Sequence, residues 1–258
     1  IVGAGPTGAT MALLLIKRGI KVTLIEASRD FKRLFRGEGL MPSGLNALEQ
    51  MGLLELLTDI PHQSFAAWEF LLSGRTLFKV AEPIEPEGKS CTTVSQPHLL
   101  AEIVKQAETY SSYSKFEFIQ GEPVKDILWS NQRVSGIRLG SGREITADLV
   151  IAADGRNSLL RKQAGLNLTQ LQHNIDILWF KLDSGSLLQS ENIFYSILHQ
   201  RDGFGLFRAS EGQLHIGWGL HSDDDFDWRK IDWAEKLAAA SPPWLAEHIL
   251  NNRDTLTQ

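Results

Sequence analysis

The chain has 258 residues, 43% of them hydrophobic, and a formal net charge of −5. This length and apolar content suit one large or two modest globular domains with a buried core. Lys and Arg are spread along the chain without basic clusters, so we expect no nucleic-acid partner. The longest apolar run, Ala9 to Ile16, is far shorter than the roughly 20 residues that cross a bilayer, so we predict no transmembrane segment.

Cysteine usage excludes an internal disulfide, because Cys91 is the only cysteine of the chain. It also excludes a zinc or iron–sulfur site built from several cysteines. We therefore expect Cys91 to be a buried, unreactive thiol in a protein of the reducing cytoplasm.

A glycine-rich turn opens the chain. Gly3-Ala4-Gly5-Pro6-Thr7-Gly8 fits the pattern G-x-G-x-x-G, and the apolar residues that follow have the spacing of a buried helix face, namely Ala9, Ala12, Leu13 and Ile16. In this pattern the first glycine permits a tight turn, the second lets the backbone approach a pyrophosphate, and the third lets helix and strand pack closely. The helix N-terminus offers N–H groups to the phosphates. Because Ile1-Val2 lead directly into the turn, we expect the start of the first strand to precede this sequence.

A second parallel strand with an acidic end is predicted next. Gly19 ends the helix, and Lys21 to Ile25 reads as the strand that delivers Glu26. Glu26 lies 18 residues after Gly8, where an acidic side chain accepts hydrogen bonds from a ribose in a βαβ unit of about 30 residues. The glycine pattern alone would also fit an ordinary turn, but strand, helix and Glu26 in register favour a nucleotide site.

The next buried parallel strand is predicted more than a hundred residues later, at Leu149 to Ala153, and it leads into Asp154-Gly155. Ligands bind at the C-terminal ends of strands in open α/β sheets, so Asp154 could accept hydrogen bonds from a polyol such as a ribityl chain. Asp154 could equally cap the helix that follows. The cations between the two strands, Arg29, Lys32, Arg33 and Arg36, are as consistent with a solvated loop as with a site.

Three segments carry a family resemblance. They are the glycine motif of Ile1 to Gly8, the segment Asp148 to Arg161 with the pattern D-G-x-x-S-x-x-R, and Arg36 to Pro42 followed by a helix from Ser43 to Met51. Together they resemble the class A flavoprotein monooxygenases, the para-hydroxybenzoate hydroxylase-like family, over the chain to about Gly165. A further motif of that family, beginning Gly-Asp, has no match before Gln258, so we expect it beyond this sequence.

The resemblance implies that the chain binds FAD. Glu26 would bind the adenosine ribose, Arg36 would approach the pyrophosphate and ribityl region, and Asp154 would hold the ribityl and pyrophosphate portion. Gln96 matches a Gln or Arg position that contacts FAD, and Val124 matches more weakly a position whose backbone meets the adenine. The implied cofactor-binding residues are Gly3, Gly5, Pro6, Thr7, Gly8, Glu26, Arg36, Gln96, Val124, Asp154 and Gly155.

The predicted fold class is α/β, with a Rossmann-like FAD-binding domain that includes a β-meander and a β-sheet substrate domain formed from two chain segments. We place the FAD-binding domain at 1–62 and 91–165, and the incomplete substrate domain at 63–90 and 166–258. The meander strands are Phe116 to Ile119, Val124 to Trp129, Val134 to Leu139 and Glu144 to Ile145. The substrate sheet would contain Phe65 to Val80, Ile175 to Leu182, Ile193 to His199 and Gly205 to Leu220.

Aromatic residues are frequent in the predicted substrate sheet, namely Trp68, Trp179, Phe194, Tyr195, Phe204, Phe207 and Trp218. They could line an apolar pocket, although sheet core is favoured for any single one. His199, His215 and His221 lack metal-ligand spacing, so we assign no metal. Asp223-Asp224-Asp225 is expected to be a solvated loop.

The function implied by the resemblance is that of an FAD-dependent monooxygenase. It would use NAD(P)H and O2, through a flavin hydroperoxide, to hydroxylate an aromatic or other electron-rich small molecule. Because the cofactor carries the chemistry, no catalytic residue is named. The alternatives are a related oxidoreductase without oxygen insertion, a non-catalytic FAD-binding fragment and an ordinary NAD dehydrogenase. The protein could form a homodimer.

Overall fold

The structure is a computed structural model that describes residues 1–32, 38–110, 115–169, 171, 175–221 and 227–258. The helices and strands are, in chain order, α1 (Pro6–Ile16), β1 (Val22–Glu26), β2 (Gly39–Leu40), α2 (Pro42–Gln50), β3 (His62–Ser64), β4 (Ala67–Leu72), β5 (Arg75–Ala81), β6 (Thr92–Val94), α3 (Gln96–Thr109), β7 (Phe116–Gln120), β8 (Val124–Ser130), β9 (Arg133–Leu139), β10 (Glu144–Thr146), α4 (Leu159–Gln163), β11 (Ile175–Leu182), β12 (Ile193–His199), β13 (Asp202–Arg208), β14 (Leu214–His221), α5 (Trp233–Ala240) and α6 (Pro243–Asn251). Short 3-10 helices occur at Leu54–Asp59, Trp228–Lys230 and Arg253–Thr255. In these described ranges no helix is long and apolar enough to cross a membrane.

The chain divides into two compact units, each built from two separate segments. The first unit comprises Ile1–Leu34 and Gln96–Gln170, and the second comprises Phe35–Ser95 and Leu171–Gln258. The observed boundaries fall after residues 34, 95 and 170, whereas the predicted boundaries fall after residues 62, 90 and 165. The assignment of the cofactor to one domain and the substrate to the other stays a prediction.

Parallel strands form the centre of the first unit. β1 pairs with β7 in parallel, from Val22 opposite Phe116 to Glu26 opposite Gln120. Val2 forms parallel bridges to Ile25 and to Ala152, so the segment before Asp154 returns beside the first residues of the chain. This arrangement confirms the predicted α/β class.

Two helices of the first unit pack beside each other, and α1 follows the predicted periodicity. α1 buries Gly8, Ala9, Ala12, Leu13 and Ile16, and it packs beside α3. The buried residues of α3 are Leu99, Leu100, Ile103, Val104 and Ala107. Both helices thus bury one apolar face, and the face of α1 is the predicted one.

The β-meander of the first unit differs from the prediction in one strand. β8, β9 and β10 form an antiparallel three-stranded sheet, but β7 joins β1 instead of this sheet. The turn after β7 explains the difference, because the backbone N–H groups of Gly121 and Glu122 both donate to the Glu26 carbonyl. The turn is therefore attached to the end of β1, and it does not fold back as a hairpin.

A six-stranded sheet dominates the second unit, in the order β11-β14-β13-β12-β4-β5. β12 pairs with β4 in parallel, and every other neighbouring pair is antiparallel. The prediction of one mixed or antiparallel sheet assembled from two chain segments is confirmed, and the sheet is mixed because of the parallel β12–β4 pair. A small sheet of β2, β6 and β3 belongs to the same unit.

The two faces of the six-stranded sheet have different roles. One face packs against α5 and α6 and forms a large apolar core that includes Leu206, Ile216, Trp218, Leu237 and Ile249. The opposite face carries an aromatic group that we call the aromatic layer, made of Phe65, Trp68, Trp179, Phe194 and Phe207. Because side chains alternate along a strand, the core and the aromatic layer use alternate residues of the same strands.

Candidate functional site

The glycine-rich turn of the first unit is closed against the segment that precedes Asp154. This segment is not the buried strand predicted at Leu149 to Ala153, because Leu149 is exposed and Ala152 forms only an isolated parallel bridge to Val2. Gly3 has φ +97°, and a Cβ added to it would lie 2.3 Å from the Ala153 carbonyl oxygen. A Cβ on Gly8 would lie 1.8 Å from the Gly3 carbonyl oxygen. Only glycine fits these two positions, because any side chain would overlap the backbone.

Gly5 differs from its two neighbours, since a Cβ added there would meet no atom within 4 Å. It precedes α1, which has Pro6 in its first turn, no acidic residue there and no side-chain cap. Backbone N–H groups at such a helix start remain available to an external acceptor, and the helix dipole favours a negative charge. The open side of Gly5 is therefore suited to a phosphate group.

Glu26 lies at the end of β1 and is held beside this turn. It is buried, its Oε2 accepts a hydrogen bond from Ala4 N at 2.8 Å, and its Oε1 accepts one from Ser28 N at 2.9 Å. Each carboxylate oxygen can accept more than one hydrogen bond. The contacts therefore fix the orientation of Glu26 beside the turn.

Asp154 is adjacent to the same turn, since the added Cβ of Gly3 would lie 3.0 Å from Asp154 Cα. Its Oδ1 accepts from Ser158 Oγ at 2.6 Å, and its Oδ2 accepts from Leu159 N at 2.7 Å. The carboxylate thus caps the start of α4, the alternative that the sequence left open. Gly155 has φ +86° and open space around its Cβ position, so the chain beside Asp154 can still accept a ligand.

The remaining predicted cofactor residues lie in several elements of the first unit or outside the described residues. Thr7 lies in the first turn of α1 with Pro6, and Gln96 begins α3. Val124 is half-buried and packs against the apolar cluster that contains Val2 and Ile25. Arg36 lies outside the described residues, as does the predicted solvated loop at 223–225.

These residues fit the diphosphate and ribose portions of FAD. Two tightly closed glycines, one open glycine at a helix start and two carboxylates meet at the C-terminal ends of parallel strands. This is where open α/β sheets bind dinucleotides. The glycine turn and Asp154 are about 150 residues apart in sequence but adjacent in the fold.

The aromatic layer of the second unit rests on glycines of the sheet. A Cβ on Gly217 would lie 2.9 Å from Trp179 Cζ3, and a Cβ on Gly205 would lie 2.8 Å from Phe194 Cζ. Gly205 and Gly217 are directly paired between β13 and β14. Two aromatic rings therefore lie close to the backbone of the sheet at these glycines.

Ring contacts connect the rest of the aromatic layer. The rings of Trp68 and Phe194 have centroids 4.6 Å apart, and those of Phe194 and Phe207 are 5.9 Å apart and nearly parallel. Cys91 packs in this cluster as the predicted buried thiol, and burial followed by the charge of Glu82 raises the pKa of its thiol to about 11. Such a thiol stays protonated and unreactive near neutral pH.

Sequence reasoning missed a buried ionisable pair next to this layer. Glu38 Oε2 lies 3.8 Å from His215 Nδ1, and the His215 ring is 5.6 Å from the Phe207 ring. Burial raises the pKa of Glu38 to about 7, and burial together with the nearby Lys181 charge lowers the pKa of His215 to about 4. The one available signal was the position of His215 in β14, which alternation assigns to the same face as Gly217.

Comparison with known proteins agrees with these observations. A family model described as an FAD binding domain matches residues 1–248. The 6-methylpretetramide 4-monooxygenase of Streptomyces rimosus is 33% identical over 187 residues, which are 70% of this chain and 44% of that protein. The chain thus spans less than half the length of this curated relative.

Solved structures share the fold at low sequence identity. Pseudomonas aeruginosa PqsL in complex with 2-aminobenzoylacetate matches with a TM-score of 0.79 and 17% identity, over 99% of this chain and 71% of that one. A ternary complex of aklavinone-11 hydroxylase with FAD and aklavinone matches with a TM-score of 0.74 and 17% identity, over 100% of this chain and 51% of that one. From the family match, the chain belongs to the FAD-binding-domain family of class A flavoprotein monooxygenases.

Proposed function

We propose that this chain is the FAD-binding and partial substrate-binding portion of an FAD-dependent monooxygenase. The observation that carries the proposal is the convergence of the glycine turn, Glu26 and Asp154-Gly155 at the ends of parallel strands. In this proposal the first unit holds the adenosine, diphosphate and ribityl portions of FAD. The second unit provides the substrate surface.

Each residue of the first unit has a separate task in this proposal. The N–H groups at the start of α1 and the open side of Gly5 receive the diphosphate. Glu26 receives the hydroxyls of the adenosine ribose, in the orientation that Ala4 and Ser28 impose on it. Asp154 and Gly155 receive the ribityl side of the cofactor, and Arg36 and Gln96 stay further candidates from the family resemblance.

FAD supplies the redox chemistry with NAD(P)H and O2 in such an enzyme, so the protein has to bind, orient and exclude water. The aromatic layer is suited to orienting an aromatic substrate, because flat rings stack on one another. It also excludes water from the surface it covers. No side chain is assigned a catalytic role.

The proposed substrate is an aromatic or other electron-rich small molecule. The relatives named above act on or bind 6-methylpretetramide, 2-aminobenzoylacetate and aklavinone. A homodimer stays part of the proposal. A reducing compartment such as the cytoplasm is also proposed, and it is supported by the single, buried Cys91.

The test begins with FAD. The purified protein is mixed with FAD, separated from excess by gel filtration and examined by absorbance, then treated with NADPH or NADH under air. A monooxygenase retains flavin, is bleached by the nicotinamide and reoxidises faster with a suitable aromatic compound, whose product contains one oxygen atom from labelled O2.

Other outcomes select the alternatives. Retained flavin that is reduced without labelled product would support an oxidoreductase without oxygen insertion. Retained flavin without any NAD(P)H oxidation would support a non-catalytic fragment. A chain that retains no flavin, including as the extended gene product, would contradict the proposal.

A further inference from the structure

The strongest additional feature is a cluster of polar groups at one end of the aromatic layer in the second unit. Lys181 on β11 lies directly opposite His215 on β14, and Trp179 lies opposite Gly217 two residues along the same strands. Lys181 and Trp179 therefore point to the same side of the sheet. A half-buried cation thus stands beside a flat aromatic ring.

Lys181 makes no ion pair or side-chain hydrogen bond with the residues that the structure describes. A half-buried ammonium without a direct partner is costly unless something else offsets its charge. The Lys181 charge acts on two buried groups, because it lowers the pKa of both Glu38 and His215. The Lys181 ammonium is therefore available to an external anionic oxygen.

Glu38 is the inner part of the cluster. Its side chain is more than nine-tenths buried, and Oε2 receives no hydrogen bond within the described parts of the chain. The Ser210 backbone N–H donates to the Glu38 carboxyl, while the Ser210 hydroxyl oxygen is itself buried without a described partner. A carboxyl in this setting readily holds a proton.

We propose that Lys181 recognises an anionic oxygen on an aromatic ligand lying on Trp179, and that the buried Glu38–His215 pair takes up a proton when this ligand binds. The proposal rests on the proposed function, since the ligand would be the substrate of the monooxygenase. The anionic oxygen that Lys181 recognises would belong to a carboxylate or a phenolate group of the ligand. The titratable groups facing Glu38 are Lys181 on β11, His215 on β14 and Glu211 in the β13–β14 turn.

Charge linkage gives the reason for the proton uptake. Lys181 favours the ionised form of Glu38 and opposes protonation of His215. A ligand anion beside Lys181 offsets this positive charge, so the pKa of Glu38 and of His215 rises in the complex. Near pH 7 Glu38 is the group that responds, because its pKa is about 7 and that of His215 is about 4.

The magnitude follows from linkage. If ligand binding raises the pKa of Glu38 by about one unit, uptake is about half a proton at pH near 7.5. The affinity for the anion then falls about fourfold between pH of about 6.5 and about 8. A neutral ligand of the same shape should cause no proton uptake, and its affinity should not change with pH.

The test uses naphthalene-2-carboxylate as the anionic probe and naphthalene-2-carboxamide as its neutral match. Binding to the full chain is followed by tryptophan fluorescence, with and without FAD, and proton uptake is measured by calorimetry in two buffers of different ionisation enthalpy. The expected result is tighter binding of the carboxylate, with proton uptake and the fourfold pH effect. Equal affinity of the two probes would overturn the proposal.

Variants separate the two parts of the proposal. Lys181→Met should remove the preference for the carboxylate, and Lys181→Arg should restore it. Glu38→Gln should keep the preference but abolish both the proton uptake and the pH effect. Two control variants change exposed charges elsewhere. Lys230→Met removes a cation near Asp227, and Glu191→Gln removes an acid near Lys79. Both should bind the probes with the same affinity and pH dependence as the parent chain.

Two outcomes keep this inference distinct from the proposed function. Proton uptake that persists in Glu38→Gln overturns the linkage, whether or not the protein retains FAD. Probe binding as expected in a chain that never retains FAD supports the anion site and contradicts the monooxygenase.

Discussion

Replacing Glu38 with Gln should change how the stability of the protein depends on pH. Below pH 4.5 the Glu38 carboxyl is protonated in both folded and unfolded chains. As pH rises toward 7, the unfolded carboxyl ionises while the folded one keeps its proton, so the folded state loses stability. Moving the pKa from 4.5 to about 7 corresponds to a loss of about 3 kcal/mol across this window.

His215 acts in the opposite direction. Above pH 6.5 the His215 ring is neutral in both the folded and the unfolded state. Below that pH the unfolded ring binds a proton, whereas the folded ring stays neutral down to about pH 4. Its contribution to stability therefore falls by about 3 kcal/mol as pH falls through this range. Between pH 4.5 and 6.5 the two trends run in opposite directions, so the summed contribution of the pair to stability changes little with pH, although both groups destabilise the folded state.

Urea unfolding at a series of pH values tests this cancellation. Six of the seven tryptophans lie in the second unit, so their fluorescence reports the unit that contains the pair. Relative to the parent chain, Glu38→Gln should become more stable by about 1.4 kcal/mol per pH unit between pH 4.5 and 7. His215→Gln should show the opposite trend, and Glu191→Gln should show neither. Parallel pH curves for Glu38→Gln and the parent chain would refute the reasoning.

Three further substitutions test local features of the fold. Asp154→Ala removes the acceptor at the start of α4, so we expect a loss of about 1 kcal/mol in the free energy of unfolding, measured by urea titration, whereas an unchanged value would contradict the cap. Gly217→Ala places a methyl group 2.9 Å from the Trp179 ring, so the ring must move and the tryptophan emission maximum should shift; an unchanged spectrum with unchanged stability would argue against the close contact. Ile197→Ala creates a cavity in the fully buried core and should cost about 2–5 kcal/mol by the same titration, with a cost under about 1 kcal/mol as the contradicting result.

Much of the first unit was predictable because its signals are local or periodic. The glycine turn, the buried face of α1 and the acidic end of β1 each follow from a few neighbouring residues. The segment before Asp154 was recognisable as a continuous apolar run that ends in a small turn, but the predicted buried strand is wrong, because Leu149 is exposed and only Ala152 bridges to Val2. Its position beside Val2 was not predicted, because an apolar run does not specify which segment it pairs with.

Other features required the three-dimensional structure. β7 reads as one more strand of the meander, and only the attachment of Gly121 and Glu122 to Glu26 shows why it joins β1. The sequence left open whether Asp154 caps a helix, and its contacts with Ser158 and Leu159 establish the cap without exhausting its oxygens.

The Glu38–His215 pair could not be predicted for a different reason. The two residues are 177 positions apart, and neither belongs to a spacing pattern that chemistry requires. Their altered pKa values arise from burial, which depends on how the small sheet and the six-stranded sheet pack within the second unit. Sequence alone does not specify that environment.

The dissociation constant of FAD for the chain with Gly5→Ala tests the central claim most directly. Gly5 has φ −70° and its added methyl group would meet no protein atom, so the fold and the unfolding midpoint should be unchanged. If the glycine turn receives the diphosphate, the methyl group obstructs it, and FAD affinity should fall at least about tenfold, which corresponds to about 1.4 kcal/mol. An unchanged affinity for FAD would contradict the account.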